Sequence, residues 1–360
     1  MSATRASQRS GFHAGPVLDT SELATRKGCE AMAITTVAGP VESDDLGMTL
    51  MHEHLFINLM PEYRATGLIN NLALMVDEIA PFVAAGGRSI VDVTPAELTR
   101  GASPDPAGHF DNGPGSDSQW PSRTPANVVA VQELAKDAGV HVVLGTGHYR
   151  DPYLASGWLD EHSVDQITEQ LMCDVEEGFS GTRVRAGIIG EIGADKWFIS
   201  AREERSFRAA ARAQRQTNLA LTTHAARWPV GIPQLDLLAE EGVDPTRVII
   251  GHCDSVAIPE YHEAIARRGA FVQYDLLRGD SDQQTQQGVS FVVNMIRKGF
   301  VDHLLLSHDV CTHSQLLAGG GGGFAFVPTK FADRLRAEGV SDDEIFRILV
   351  ENPARALAGK

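Results

Sequence analysis

Hydrophobic and polar positions alternate in a regular way from about residue 48 to residue 310, where short apolar, β-branched runs are separated by longer amphipathic segments. Runs of this kind are typical of parallel strands that are buried on both faces. The eight runs are residues 48–56, 88–94, 140–147, 184–193, 219–224, 247–254, 270–275 and 303–310. The pattern therefore predicts eight strands.

The segments between the runs have helical periodicity, and several are followed by a glycine that can end a helix, such as Gly139 and Gly178. We predict helices at Asn127–Ala138, Ser163–Glu177, Ala201–Thr217, Pro233–Glu241, Pro259–Arg268 and Gly288–Lys298. Asn71–Ala85 has the same periodicity, but Pro81 would interrupt it. After the last run come five glycines and then further helical segments, namely Gly319–Gly323, Ala325–Glu338, Asp342–Val350 and Pro353–Leu357.

Strands that each precede a helix predict an α/β fold with a parallel sheet, and eight is the number that closes a (β/α)8 TIM barrel. An open, doubly wound sheet is the alternative, but no Gly-x-Gly-x-x-Gly motif follows the first strand, where a dinucleotide-binding sheet would have it. We therefore expect the barrel. Residues 34–360 would form this single domain, and the polar, aperiodic residues 1–33 a flexible N-terminal extension.

Composition narrows the functional classes. The formal net charge of −16 disfavours binding to nucleic acid or to an anionic membrane surface, and no apolar run approaches the roughly 18 residues of a membrane span. Four scattered cysteines, Cys29, Cys173, Cys253 and Cys311, indicate reduced thiols in a cytoplasmic protein. The partner that we expect is a small-molecule substrate, with a homodimer as one possible assembly.

The connection after the second strand is unusually long, about thirty residues rich in Pro, Gly, Ser and Asp between Pro95 and Thr124. It leaves the carboxyl end of a strand, which is where the active sites of TIM barrels lie. We expect His109, Phe110 and Trp120 of this loop to line a pocket.

Metal-binding side chains recur at the carboxyl ends of five predicted strands. These residues are His52, His54, Glu191, His224, His252 and Asp309. One such residue alone is more often a rim residue or a helix cap. Six acceptors that converge without a cation would be costly to bury, and imidazole and carboxylate are ligands that zinc, manganese, cobalt and iron accept. Six ligands exceed what one catalytic zinc takes from protein, so the set predicts two divalent ions per chain, most simply zinc.

With these residues in place, the chain from about Thr36 to Leu357 resembles the phosphotriesterase-related branch of the amidohydrolase superfamily. The resemblance rests on GPVESDDLGMTLMHEHLF, GTGHY, AGIIGEIG, LTTHAA, VIIGHCD, LLLSHDVC and GVSDDEIFRILVENPARAL. It implies that His52, His54 and Asp309 hold a buried metal, and that His224 and His252 hold a more exposed one.

The chain departs from the best-known members of that family at two positions. Their bridging ligand is a carboxylated lysine, whereas Glu191 stands here, as in a sub-branch of the family. They also carry a proton-relaying histidine after the aspartate of strand seven, whereas Asp275 is followed by Leu276. The second departure favours a lactone, carboxyl ester or amide as substrate over a phosphotriester.

Three further residues are candidates for the substrate site. The resemblance places Tyr149 beside the metals, as in lactone-cleaving relatives. Arg278 and Arg150 lie on loops at the same face and could bind a substrate carboxylate.

The predicted function is therefore hydrolysis by attack of a metal-bridging hydroxide, with Asp309 taking the proton and passing it to the leaving group. Phosphotriester hydrolysis is the alternative function. The third hypothesis is a metal-binding barrel without catalysis, or a non-hydrolytic enzyme.

Overall fold

Eight parallel strands, hydrogen-bonded to one another in chain order, form the centre of the protein. The computed structural model describes residues 33–104, 121–154 and 157–359. Its strands are β1 (Met48–Glu53), β2 (Gly87–Asp92), β3 (His141–Thr146), β4 (Ile188–Gly193), β5 (Leu221–His224), β6 (Val248–Gly251), β7 (Phe271–Tyr274) and β8 (Leu304–Leu306). Each predicted run overlaps one of them, and the predicted (β/α)8 barrel is confirmed.

Helices follow the strands. They are α1 (Leu72–Ala84), α2 (Pro125–Ala138), α3 (Val164–Glu176), α4 (Ala201–Thr217), α5 (Gly231–Glu240), α6 (Pro259–Arg267) and α7 (Asp282–Arg297). The first helix continues through Pro81, which lies in its last turn. A proline so close to the end removes a single hydrogen bond from a helix that is about to stop, so the expected interruption does not occur.

Shorter strands and helices lie outside the eight-stranded sheet. Two antiparallel pairs, Ala33–Thr36 with Gly39–Glu42 and Ile57–Asn58 with Leu68–Ile69, were not predicted. Short helices lie at Met60–Tyr63, Asp151–Leu154 and Trp158–Glu161, and α8 (Ala332–Ala337), α9 (Asp342–Phe346) and α10 (Asn352–Ala358) follow β8.

Apolar packing seals the amino-terminal end of the barrel. Ala356 and Leu357 of α10 belong to the same buried cluster as Met51, Val143 and Ile249 from the strands. Burial of this apolar surface stabilises the barrel and leaves the carboxyl ends of the strands as the open face.

The seam between β8 and β1 is closed by a different set of contacts. The Asp309 N–H donates to the carbonyl of His52 (3.1 Å), and the His52 N–H donates to Ser307 Oγ (2.9 Å). The Glu53 carboxylate, which is fully buried, accepts hydrogen bonds from the chain on the other side of the seam. The end of β1 is thereby tied to the segment that carries Asp309.

Three further expectations from the sequence concern a membrane span, the cysteines and the N-terminal extension. No helix of the described residues has the length and apolar character that a membrane span requires. Within the same residues, the cysteines Cys173, Cys253 and Cys311 are free. The expected flexible extension lies, apart from Ala33, outside the described residues, so it stays a prediction.

Candidate metal centre and active-site pocket

The six predicted ligands meet at the open face of the barrel. His52, Glu191 and His224 belong to β1, β4 and β5, while His54, His252 and Asp309 lie just beyond the ends of β1, β6 and β8. His252 and Asp309 have left-handed backbones, with φ of 55° and 51°. Residues other than glycine rarely adopt this conformation, and it is concentrated at functional sites.

His52, His54 and Asp309 form one group whose ligand atoms lie close together. Asp309 Oδ1 is 3.1 Å from His54 Nε2 and 3.8 Å from His52 Nε2. His52 and His54 are two residues apart on an extended segment, so their side chains leave the backbone on the same side.

His224 and His252 form the other side of the site. The atoms that face each other are His224 Nδ1 and His252 Nε2, 2.8 Å apart. Burial, and then the neighbouring His252, lower the pKa of His224 to about 4. His224 is therefore a neutral imidazole near pH 7, the form in which histidine binds metals.

The Glu191 carboxylate lies between the two groups. Its Oε1 is 3.6 Å from His54 Nε2. Its Oε2 is 3.6 Å from His52 Nε2, 3.1 Å from His224 Nδ1 and 3.4 Å from His252 Nε2. Burial raises the pKa of Glu191, but the imidazoles of His52 and His224 outweigh burial and hold it well below its ordinary value.

These residues fit divalent ions. Two donors that each lie about 2.1 Å from one ion, at a tetrahedral angle, are about 3.4 Å apart. The nitrogen–oxygen distances of 3.1 to 3.8 Å in this cluster match that value. In addition, His52 Nε2 is buried in the middle of the cluster and has no hydrogen-bond partner among the described residues. A buried polar atom without a partner is costly, and a metal ion would satisfy it.

Asp275, at the end of β7, orients the His252 imidazole and lies close to the His52 imidazole, whose Nδ1 is in hydrogen-bond contact with Gln273 Nε2 at 2.9 Å. The Asp275 oxygens lie 2.7 Å from His252 Nδ1 and 3.2 Å from His52 Nδ1. Burial lowers the pKa of His252, but the Asp275 carboxylate outweighs it and holds that pKa well above the ordinary value. A carboxylate on the second ring nitrogen fixes the orientation of a metal-binding histidine. Thr94 Oγ1 lies 3.0 Å from His54 Nδ1 and holds that ring in the same way.

Arg278 reaches the site, but its contacts differ from those we expected. Its guanidinium forms a short ion pair with the Asp309 carboxylate and also donates to the carbonyls of His308 and Asp309. Burial raises the pKa of Asp309, and Arg278 more than offsets this, so the carboxyl remains ionised. Arg278 thus binds a candidate metal ligand, so its expected pairing with a substrate carboxylate would compete with the bond to Asp309.

Tyr149 lies beside the candidate ligands, as expected. Its hydroxyl is 3.4 Å from His224 Nδ1, and burial raises its pKa well above the ordinary value, so it is a neutral phenol. The neighbouring Arg150 stacks over the Tyr149 ring and forms ion pairs with Glu62 and Asp195. Like Arg278, it is therefore already paired with carboxylates of the protein.

A cavity of about 160 Å³ opens above the candidate ligands. Leu276 and Cys311 contribute apolar surface to its wall, and Arg227 contributes a positive charge. Arg227 was not among the residues predicted for the site. Its position three residues after His224, on the loop that follows a ligand-bearing strand, is the signal that could have identified it.

One other expectation concerns the long loop near the pocket. Of the long connection after β2, residues 105–120 lie outside the described residues, and with them His109, Phe110 and Trp120. The described residues resume at residue 121, and the Arg123 guanidinium binds Asp92 at 2.7 Å.

Comparison with known proteins agrees with the fold. The model of the phosphotriesterase family matches residues 32–104 and 123–357. The phosphotriesterase homology protein of Escherichia coli strain K12 is 29% identical over 87% of this chain and 98% of its own length. The N-acetyltaurine hydrolase of Danio rerio is 27% identical over 91% of this chain and 98% of its own length. Among solved structures, a mutant of a phosphotriesterase-like lactonase from Deinococcus radiodurans has a TM-score of 0.72 and 27% identity, covering 90% of this chain and 99% of that chain.

The family match spans the same region as the resemblance seen in the sequence and includes every barrel strand. Enzymes of this family depend on a binuclear metal centre, and the described residues contain two groups of candidate ligands that share His52, namely His52 with His54 and Asp309, and His52 with Glu191 and His252. The chain therefore belongs to the phosphotriesterase family and is a metal-dependent hydrolase.

Proposed function

We propose that this hydrolase cleaves a lactone, a carboxyl ester or an amide. The observation that carries the proposal is the environment of Asp275. Its carboxylate is bound by His252 and Gln273, and Leu276 follows it in the pocket wall where relatives specialised for phosphotriesters have a histidine. The name of the N-acetyltaurine hydrolase denotes amide cleavage, and the Deinococcus radiodurans relative is a lactonase, so both support carbonyl substrates.

In this proposal His52, His54 and Asp309 would hold one ion, His224 and His252 would hold the other, and the Glu191 carboxylate would be shared between them. The two ions would activate a water molecule and polarise the substrate carbonyl. The contacts of Glu191 with imidazoles of both groups support the bridging role and the assignment to the sub-branch with a glutamate at this position. Zinc is the ion that we propose, because the set combines imidazoles with carboxylates.

Asp309 would act as the base and then as the acid. Arg278 keeps its carboxyl ionised, and Asp309 lines the cavity, so it can take a proton from water and pass it to the leaving oxygen or nitrogen. The Tyr149 hydroxyl remains protonated near neutral pH and can donate a hydrogen bond to the carbonyl oxygen as negative charge develops there.

Phosphotriester hydrolysis is the second candidate, and the similarity to the phosphotriesterase homology protein favours it. The same ions and the same base could serve both reactions, but without a histidine beside Asp275 we expect phosphotriester turnover to be slow.

A substrate panel tests the proposal. Enzyme reconstituted with zinc or manganese would be assayed with γ- and δ-lactones, aryl acetates, N-acetyl amino acids and paraoxon. We expect kcat/KM for the best carbonyl substrate to exceed that for paraoxon by about 10²-fold or more, which corresponds to about 2.7 kcal/mol of transition-state stabilisation. A higher value for paraoxon would make the second candidate the function.

We also propose that the protein is cytoplasmic, on the basis of its scattered cysteines. The homodimer stays a prediction.

A further inference from the structure

The charged side chains of the pocket wall are unequally paired. Arg150 binds Glu62 and Asp195, and Arg278 binds Asp309. These two arginines are consequently neutralised by carboxylates of the protein.

Arg227 differs from both. It lines the same cavity and is exposed, and its guanidinium has no hydrogen bond or ion pair with any of the described residues. The carboxylates of the pocket wall outside the candidate metal ligands, Glu62 and Asp195, are occupied by Arg150. The pocket therefore presents one positive charge, among the described residues, that the protein itself does not neutralise.

The backbone of Arg227 is held in place. Its φ of 68° lies in the left-handed region, which is sterically unfavourable for a residue with a side chain. The Arg227 N–H donates to Ser255 Oγ at 2.7 Å, and the Ser255 hydroxyl donates to the carbonyl of His252 at 2.6 Å. A direct chain of hydrogen bonds thus links Arg227 to the candidate ligand His252.

We propose that Arg227 recognises a carboxylate or sulfonate group on the substrate, so that the enzyme selects anionic substrates. This inference rests on the proposed cleavage of a carbonyl compound at the adjacent site. A guanidinium binds a planar carboxylate, or two oxygens of a sulfonate, through two parallel N–H···O bonds. The anchored backbone would hold that anion at a set distance from His224 and His252, and so place the scissile carbonyl between the anion and the ligands.

The test compares Arg227→Gln with the wild-type enzyme on matched substrates. N-acetylglycine and N-acetyltaurine carry the anion, and N-acetylglycinamide is a neutral isostere; release of acetate is measured for all three. We expect the wild type to favour the anionic compounds by about 10-fold or more, and the variant to lose about 10- to 100-fold in kcat/KM on them, mainly through KM. The loss on the neutral isostere should be much smaller. Arg227→Lys should restore part of the preference, because the charge remains.

Arg183→Gln is the matched control, since Arg183 is an exposed arginine outside the pocket and should leave every rate unchanged. Calorimetric binding of N-acetyltaurine and N-acetylglycinamide to wild type and Arg227→Gln is measured in parallel. If the wild type cleaves neither these compounds nor the lactones and esters of the substrate panel, the proposed function fails, while the binding data still decide the role of Arg227. Equal losses on anionic and neutral compounds, or equal binding of N-acetyltaurine by wild type and variant, would overturn the inference.

Discussion

At the scale of single residues, Glu191 has the most consequential position in the site. Its two oxygens lie within 3.6 Å of four imidazole nitrogens that belong to both groups of candidate ligands. A carboxylate between two cations offsets part of their mutual repulsion, which would otherwise expel the more weakly held ion.

Replacement of Glu191 by glutamine tests this role, because it keeps the size of the side chain and removes the charge. We expect Glu191→Gln to retain only one ion per chain and to lower kcat by about 10²-fold or more, while Glu191→Asp is milder because only reach is lost. Elemental analysis, turnover and circular dichroism are the measurements, and the fold should survive because the site lies beyond the packed barrel layers. Two ions and near-normal turnover in Glu191→Gln would place the bridge elsewhere.

At the scale of elements, the hydrogen bonds between β1 and the segment after β8 hold Asp309 in position. Glu53 lies between His52 and His54 and points away from the pocket. Its Oε1 accepts from Ser307 Oγ (2.8 Å), the His308 N–H (2.9 Å) and His308 Nδ1 (2.8 Å), and its Oε2 accepts from the Val310 N–H (2.9 Å). Because His308 Nε2 accepts from the Val327 N–H, the ring proton is on Nδ1 and the carboxylate faces donors alone.

This arrangement predicts that Glu53→Gln weakens metal binding although Glu53 is not itself a candidate ligand. The amide turns an N–H group toward at least one of these donors, which leaves a buried polar atom unpaired and loosens the segment that holds Asp309. We expect metal affinity to fall by about 10-fold or more, as it does when groups that orient ligands are removed from other metal sites. Chelator competition measures the metal affinity. Thermal unfolding of the metal-free protein shows whether the substitution also lowers the stability of the fold. Exposed Glu42→Gln is the control, and wild-type affinity in Glu53→Gln would count against the seam's role.

At the scale of the whole molecule, the candidate site draws on β1, β4, β5, β6 and β8 and so joins distant parts of the chain. Ions that bind only the folded state stabilise it by an amount set by their concentration relative to their dissociation constant, about 2.7 kcal/mol at a hundredfold excess.

Removal of metal should therefore lower the melting temperature. For a chain of this length we expect a decrease of about 4 °C for each ion that is lost, restored by added zinc. Differential scanning calorimetry before and after exhaustive chelation, with metal content measured on the same samples, is the check. Identical melting temperatures in protein shown to have lost two ions would mean that the ions do not bind preferentially to the folded state.

The fold of the barrel could be predicted from the sequence more completely than the contacts of the pocket. The (β/α)8 order follows from local information, because buried parallel strands are apolar on both faces and helices repeat every 3.6 residues. The candidate ligands followed as well, since all carboxyl ends of the strands in a barrel meet on one face. For the same reason Tyr149, just after β3, could be expected beside His224, where its hydroxyl lies 3.4 Å away.

Pairing between loops was decided only by the tertiary structure. Arg150, Arg227 and Arg278 all follow barrel strands and look equivalent in the sequence, yet Arg150 binds Glu62 and Asp195, Arg278 binds Asp309, and Arg227 faces the pocket. Periodicity reports which side of its own element a residue occupies, but an ion pair depends on where two loops from distant parts of the chain come together. Glu62 and Arg150 are 88 residues apart in the chain, and no local pattern encodes their contact. The sequence by itself therefore determined the barrel and the face on which the candidate ligands lie, whereas the packing of loops over the barrel determined which of the three arginines has no ion pair among the described residues.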